Sequence, residues 1–292
     1  MGPGRLVLAA LLSITAGLAA QTSPPLPDQE AFFAETRKHL ASNDLVQSRY
    51  SFRERSTELR LNPFGRNMGT GPVNVYEVYP HPAEELTYRR LVEREGHPLS
   101  AEELDEQDRE YREKLRDWQE RLAREGKSDR IQRLQKSTEA RKRDEAMARE
   151  AIEMFEFQID GRDTWQNEPA IVVSFKPRPG ASPRTREGRV ARVFTGRAWV
   201  HEFEYEVMSV EATAMDDVSF GWGMIAKLHR GYKARFTRRR IGGAWLPVES
   251  RFSGTGRALL FRRVVINFER DYYDYKPFDI TELPARLGWT AP

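Results

Sequence analysis

The sequence of 292 residues contains no cysteine. Disulfide bonds, thiolate catalysis and cysteine-based metal sites are therefore excluded, and so is anchoring through a lipid-modified cysteine. Histidine is scarce too, and the five histidines show no paired spacing typical of metal ligands. Long apolar runs are missing after residue 20, so no later segment offers the ~20 apolar residues that span a bilayer.

The N terminus has the pattern of an export signal. Arg5 precedes LVLAALLSITAGL, an uncharged run of thirteen residues, and AAQ follows it. A basic start, a short apolar core and small residues at the end predict a cleaved signal peptide over residues 1–20. An uncleaved membrane anchor is the alternative. We expect a periplasmic or secreted protein of roughly 270 residues after cleavage.

A highly charged segment divides the rest of the chain. Between residues 101 and 150, 29 of 50 residues are charged, 14 basic and 15 acidic. Ser100 and Glu103 form a capping-box pattern. The apolar residues that follow at helical spacing are Leu104, Tyr111, Leu115, Trp118 and Leu122. This pattern predicts a helical hairpin over residues 99–154, either a solvated flap or a partner-binding arm. Because its apolar stripe is thin, we expect the β domain to fold without it.

Strand-like segments flank the charged segment on both sides. In GRAWVHEFEYEVMSVEA, residues 196–212, Phe203, Tyr205 and Val207 alternate with glutamates, which predicts an extended strand with one apolar face. Asp160-Gly161 and Gly242-Gly243 predict hairpin turns. The short links predict antiparallel pairing of about ten strands. The β domain would then comprise residues 46–98 and 155–292, interrupted by residues 99–154.

A helix is expected within residues 21–45, ahead of the first strand. Phe32 and Phe33 lie on its apolar face, and Asp28 is placed to cap its start.

Signals of catalysis are weak. The sequence has no Gly-x-Ser-x-Gly elbow, and Gly221-Trp-Gly223 lacks the alternating strands and helices of a dinucleotide-binding loop. Asp216 and Asp217 are adjacent, and neighbours on a strand point to opposite faces, which disfavours joint acid–base chemistry. We therefore predict a protein that is not an enzyme and needs neither cofactor nor metal.

Two segments favour binding. From Lys227 to Arg263 there are 11 basic residues and one acid, and this excess predicts an anion-binding or head-group-binding surface at Arg238, Arg239 and Arg240. The alternative is an outward-facing, solvated side of the sheet. Nucleic acid is not expected as a partner of an exported protein. The second segment is apolar and flanked by glycines, so it predicts either a mobile lid or ordinary core packing. Its apolar residues are Phe220, Trp222, Met224, Ile225 and Leu228.

The stretch GRAWVHEFEYEVMSVEA, followed by ARFTRRRIGGAWLPVES, resembles the lipoprotein-carrier-like superfamily of envelope proteins, the periplasmic lipoprotein carrier and outer-membrane lipoprotein-sorting type. The segments YEVYP, RRLVEREGHPLS and VSFKPRPG are similar to those of uncharacterised exported bacterial proteins. The resemblance implies a curved antiparallel half-open β-barrel, mainly β with α, whose concave side holds acyl chains. It places Trp199, Trp245 and Phe252 near that cavity. The predicted helical hairpin departs from the carrier itself.

Two functions remain open from the sequence. The first is a periplasmic carrier or sensor for a lipid, or for the acyl chain of a lipidated protein. The second is a non-enzymatic interaction module of the envelope, with a self-filled core and a helical arm that contacts a protein partner. An open pocket of several hundred Å³ in the β domain would favour the first.

Overall fold

The computed structural model describes residues 24–40, 46–61, 67–220, 226–258 and 267–289. The strands in this part of the chain are β1 (Tyr50–Leu61), β2 (Asn67–Tyr79), β3 (Tyr88–Arg94), β4 (His97–Pro98), β5 (Phe155–Trp165), β6 (Glu168–Pro177), β7 (Phe194–His201), β8 (Val207–Ala214), β9 (Val218–Phe220), β10 (Ala226–Leu228), β11 (Lys233–Ile241), β12 (Ala244–Ser253), β13 (Gly256–Ala258) and β14 (Phe268–Pro277). The α-helices are α1 (Gln29–Leu40), α2 (Ala101–Arg124), α3 (Lys127–Glu153), α4 (Arg186–Ala191) and α5 (Leu283–Arg286). Two single 3₁₀ turns occupy Glu84–Leu86 and Ile280–Glu282.

Eleven of these strands form one antiparallel sheet in the order β4-β3-β2-β1-β14-β12-β11-β8-β7-β6-β5. The sheet curves but does not close, and β4 and β5 are its two edges. Strands from before and after α2 and α3 therefore belong to the same sheet. The prediction of a mainly β, half-open antiparallel fold is confirmed. A second, three-stranded sheet has the order β13-β10-β9.

Helix α1 covers one face of the sheet near the β5 edge. Asp28 caps the helix, since its Oδ1 accepts a hydrogen bond of 2.9 Å from the Ala31 amide. Phe32 is 1% exposed and packs against a buried apolar cluster on β6, β7 and β8. That cluster consists of Ile171, Val173, Val200 and Val207. Fully burying one such side chain stabilises the fold by ~1.5–3 kcal/mol, so Phe32 contributes to holding α1 against the sheet.

Helices α2 and α3 connect the two edges of the sheet. The predicted capping box is present, with the Glu103 amide donating to Ser100 Oγ and the Ser100 amide to the Glu103 carboxylate. The helices are ~36 and ~40 Å long at 1.5 Å per residue, and they meet at residues 125–126. Two helices therefore occupy the segment predicted for the hairpin, and the pairing of the two as a hairpin stays a prediction. Because α2 follows β4 and α3 precedes β5, the pair must reach from one edge to the other.

The first half of α2 belongs to the core. Tyr111 is 5% exposed, and its ring stacks on Tyr88 at 4.1 Å. Asp108 is buried and accepts hydrogen bonds from the Tyr88 hydroxyl at 2.6 Å and from Arg90 at 2.9 and 3.0 Å. Phe278 and Leu283, from the C-terminal segment, complete this cluster. The expectation that α2 is a solvated, dispensable flap conflicts with these contacts.

Two predicted turns have different outcomes. Gly242 and Gly243 join β11 to β12 with positive φ angles of 57° and 83°, which confirms the primed turn. Asp160 and Gly161 instead lie within β5, where the register with β6 shifts by one residue. The chain reverses five residues later, at residues 166–167, which both have positive φ. Glycine is common both at β-bulges and in turns, so the Asp160-Gly161 pair alone does not show which of the two is present.

The predicted strand through Phe203 is a tight turn. Strand β7 ends at His201, residues 202–204 form the turn, and Tyr205 has a φ of 56°. The ring nitrogen Nδ1 of His201 accepts hydrogen bonds from the amides of Phe203 and Glu204, at 3.3 and 3.0 Å. Phe203 is 69% exposed, so it does not share an apolar face with Val207.

Candidate functional site

An apolar pocket of about 230 Å³ lies between α1 and the sheet. Its walls come from α1, the end of α3 and strands β5 to β8. The lining residues are Phe33, Thr36, Arg37, Ile152, Phe155, Phe157, Val173, Phe175, Ala198, Val200, Val207 and Val210. We call this the α1 pocket. Such a volume lies below the 300–1,000 Å³ typical of pockets for drug-sized molecules, so it suits a slender apolar group.

The helical wall of the α1 pocket is set by the spacing of residues on α1. Phe33 contributes a ring 5.7 Å from that of Phe157 on β5. Thr36 lies one turn further along and is buried, and its hydroxyl donates to the Phe32 carbonyl at 2.9 Å. Because this intrahelical bond satisfies the hydroxyl group, Thr36 can line an apolar pocket without leaving a buried polar atom unpaired.

The sheet wall is aromatic towards the β5 edge. The rings of Phe155, Phe157 and Phe175 lie 5.1 to 6.2 Å from one another. Gly196, on β7 opposite Phe175, makes this arrangement possible. A Cβ at residue 196 would lie 2.6 Å from Phe175 Cζ and 2.0 Å from the Glu211 carbonyl oxygen. Any side chain larger than that of glycine at residue 196 would therefore clash with the Phe175 ring and with the backbone of β8.

The chemistry of the α1 pocket is that of hydrocarbon. Arg37 is the one charged residue among its lining residues, and the rest are apolar apart from Thr36. A hydrocarbon chain gains ~0.8 kcal/mol for each methylene group that such surfaces remove from water. Within the part of the chain that the structure describes, no group of three or more histidines, aspartates and glutamates is placed to hold a metal ion. No helix there combines the length and the apolarity needed to cross a membrane.

Two predicted cavity residues lie on the opposite face of the sheet. Trp199 follows Ala198 on β7, and successive side chains on a strand point to opposite faces. Its indole nitrogen donates to Asp163 Oδ2 at 3.0 Å, and its ring lies 4.5 Å from that of Trp165. This hydrogen bond stabilises the carboxylate of Asp163 and is the main reason that its pKa is lowered. Trp245 is 7% exposed and packs in the same cluster as Trp199.

The structure separates the remaining predicted cavity and lid residues. Phe252 on β12 is half-buried, with its ring 4.8 Å from that of Phe268, and Leu228 on β10 is also half-buried. The backbone of Phe220 ends β9. Trp222, Met224 and Ile225 lie outside the described residues.

The three consecutive arginines do not form one surface. Arg238 is 3% exposed; its guanidinium contacts Glu206 at 2.7 Å and the Trp245 carbonyl oxygen at 2.5 Å. Arg240 pairs with Glu204 at 2.5 Å. Burial favours the neutral form of Glu204, but its hydrogen bond from Trp245 and the Arg240 charge outweigh this effect and lower the pKa. These contacts give Arg238 a role in holding the β7–β8 turn, and its burial excludes it from an outer anion-binding surface.

Arg239 and Arg240 are both exposed, and Nε of Arg239 donates to Gln166 Oε1 at 3.0 Å. The anion-binding surface predicted from the basic run is therefore reduced to separate side chains that already contact other residues.

The sequence patterns named some residues that line the α1 pocket, such as Phe33 and Val207, as parts of apolar faces but did not bring them together as one site. Phe155, Phe157 and Ile159 alternate with polar residues, and Phe32 and Phe33 begin the apolar stripe of α1. Neither signal shows which helix meets which strand. That pairing depends on the order of strands in the sheet, which the sequence does not state.

Comparisons with known proteins add little to this geometry. No protein-family model matches the chain, and no curated protein matches it. Among solved structures, the chain is similar to a DUF1329 family protein from Desulfovibrio piger, with 11% sequence identity and a TM-score of 0.30. That match covers 88% of this chain and 96% of the other.

Proposed function

We propose that this protein is an exported, non-enzymatic carrier or sensor that binds the acyl chain of a lipid or lipidated protein in the α1 pocket. The observation that carries the proposal is a pocket whose lining is almost wholly apolar, although its volume of about 230 Å³ is below the several hundred Å³ expected from the sequence. Export is supported by the signal-peptide pattern of residues 1–20.

The position of the pocket favours reversible binding. One wall is the sheet, held by backbone hydrogen bonds along β5 to β8. The other wall is α1, a helix of 12 residues that packs on the sheet through few side chains, Phe32 and Phe33 foremost. A helix this short has little stability of its own. A small displacement of α1 would therefore admit a chain without disturbing the sheet.

Binding of cis-parinaric acid and of its methyl ester, whose fluorescence rises in apolar surroundings, tests the proposal. We expect the wild type to bind the methyl ester, since the pocket recognises the chain. Ala198→Phe fills the pocket from its sheet wall and should abolish this binding. Arg197→Phe adds the same ring one residue earlier, on the opposite face, and should leave binding unchanged.

Lipids extracted from the purified protein, identified by mass spectrometry, would name the natural ligand. If the methyl ester does not bind, or if Ala198→Phe and Arg197→Phe bind it equally, the acyl-chain proposal is wrong.

A second candidate is the interaction module, supported by exposed apolar residues on α3. Ile131 and Leu134 are 58% and 50% exposed and lie on one side of the helix, three residues apart. They would meet an envelope protein partner. This function replaces the first if extracts contain no lipid and the methyl ester does not bind.

A further inference from the structure

One row of directly opposite residues crosses the sheet on the same face as the α1 pocket. The row runs through neighbouring strands from β7 to β1, and paired residues in an antiparallel sheet share a face. Its members are Ala198, Val210, Phe236, Ser250, Arg270 and Ser56. Ala198 and Val210 line the pocket. The face that is apolar beneath α1 therefore continues, without a change of side, to a basic residue on β14.

Arg270 is one of two arginines on this face that share a single carboxylate. Glu54 on β1 lies two residues before Ser56, so it belongs to the same face. Its Oε1 is 2.7 Å from a terminal nitrogen of Arg89 and 3.4 Å from Nε of Arg270. Arg89 reaches the same face from β3, where it is paired with Val78 and, through Val78, with Phe52.

The two guanidinium groups are held in place and remain accessible. Arg89 lies over the Tyr76 ring at 4.5 Å, and Arg270 lies over the Phe268 ring at 4.6 Å. Their side chains are 45% and 39% exposed, whereas that of Glu54 is 7% exposed. Both guanidinium groups contact the same carboxylate, that of Glu54, and both keep exposed surface. A second anion would complete the cluster through the forked donors of the guanidinium groups.

We propose that the pair Arg89 and Arg270 binds the anionic head of an amphiphile whose single acyl chain ends in the α1 pocket. The inference rests on the proposed function and specifies the ligand class. From Val210 to Arg270 is three strand spacings, or ~14 Å along the sheet. A bilayer core of ~30 Å is two chains deep, so one acyl chain spans ~15 Å. The distance between apolar pocket and charged pair thus matches one chain.

The test compares cis-parinaric acid with its methyl ester, which have the same chain and differ in charge. The wild type should bind the acid roughly tenfold more tightly than the ester at low salt, and this preference should shrink as salt rises. Arg270→Gln and, independently, Arg89→Gln should bring the acid to the affinity of the ester and leave the ester unchanged. Displacement by palmitate and by a lysophosphatidic acid shows whether a carboxylate or a phosphate is preferred.

Arg235→Gln is the matched control. Arg235 is 45% exposed and pairs with Glu211 at 2.7 Å, but it precedes Phe236 and so points to the opposite face. Its replacement should not alter the preference for the acid. Equal affinity of the wild type for acid and ester would overturn this inference and leave the acyl-chain proposal standing. The inference would also be overturned if Arg235→Gln reduced the preference for the acid as much as Arg270→Gln and Arg89→Gln do. Failure of the ester itself to bind would instead refute the acyl-chain proposal.

Discussion

Replacing Asp108 with alanine should destabilise the whole fold, because this carboxylate attaches α2 to the sheet. Asp108 is 3% exposed and accepts three hydrogen bonds, one from Tyr88 and two from Arg90. Burial raises the pKa of Tyr88, and the carboxylate of Asp108 raises it further, so the phenol stays protonated and donates. Asp108→Ala leaves both donors without this acceptor in a site that water reaches poorly.

The size of the loss follows from the surroundings of Arg90. Breaking a buried ion pair by removing one partner costs ~3–5 kcal/mol. Arg90 keeps a second carboxylate, Glu77, at 3.5 Å, and 15% of its side chain is exposed. We therefore expect a loss near the lower limit, ~3 kcal/mol, in the free energy of unfolding measured with urea and circular dichroism. Asp117→Ala, on the same helix but 63% exposed, should change it by less than ~0.5 kcal/mol. Equal, small effects of the two variants would show that α2 is not part of the core.

Three further outcomes are expected. Burial lowers the pKa of His81, so its contribution to stability is complete above the unfolded pKa of 6.5 and decreases below it; His81→Gln should reduce the acid sensitivity of the unfolding free energy between pH 6.5 and 5. Burial, and then Glu269, raise the pKa of Asp271, so its favourable contribution is complete below the unfolded pKa of 3.8 and is lost as pH rises through the folded value. Asp271→Asn should therefore raise the urea midpoint at pH 7 but not below that pKa. Gly196→Ala should cost at least ~1–3 kcal/mol and weaken binding of the parinaric methyl ester, because the new Cβ displaces the Phe175 ring; an unchanged melting temperature would contradict this.

Local features of the fold could be predicted from the sequence where a short stretch determines them. The capping box at Ser100, the start of α1 at Asp28 and the glycine turn at Gly242 each depend on residues within four positions. The charged helices α2 and α3 were predicted for the same reason, since their spacing repeats over many turns.

Features that depend on distant residues could not be predicted. The narrow stripe of α2 indicated a solvated helix, yet Tyr111 and Asp108 meet Tyr88 and Arg90 on β3 and are buried. The burial of Tyr111 and Asp108 depends on their partners on β3, which the hydrophobicity of α2 alone does not reveal. The two tryptophans expected in the cavity are a second case: Trp199 is bulky and apolar, but the parity of β7 turns it away from Ala198 and the α1 pocket.

The turn between β7 and β8 shows why an alternating pattern can mislead and also how the pocket is covered. The alternation of Phe203, Tyr205 and Val207 with glutamates suits a strand, but the hydrogen bonds to His201 and the positive φ of Tyr205 reverse the chain there. The glutamates of this turn do not form a solvated face of a strand. Glu206 contacts Arg238 at 2.7 Å and His39, near the end of α1, at 3.2 Å.

The Tyr205 ring lies 5.4 Å from that of Phe32, so the turn holds α1 through an aromatic contact as well as through the Glu206–His39 contact. Because α1 is one wall of the α1 pocket, these two contacts help to fix the position of that wall. A chain entering beneath α1 must loosen one or both of these contacts, and the polar one is the weaker, since the His39 side chain is 40% exposed and water can replace Glu206 there. The segment from Phe203 to Val207, whose pattern predicted a strand, thus includes the turn that contacts α1 beside the pocket.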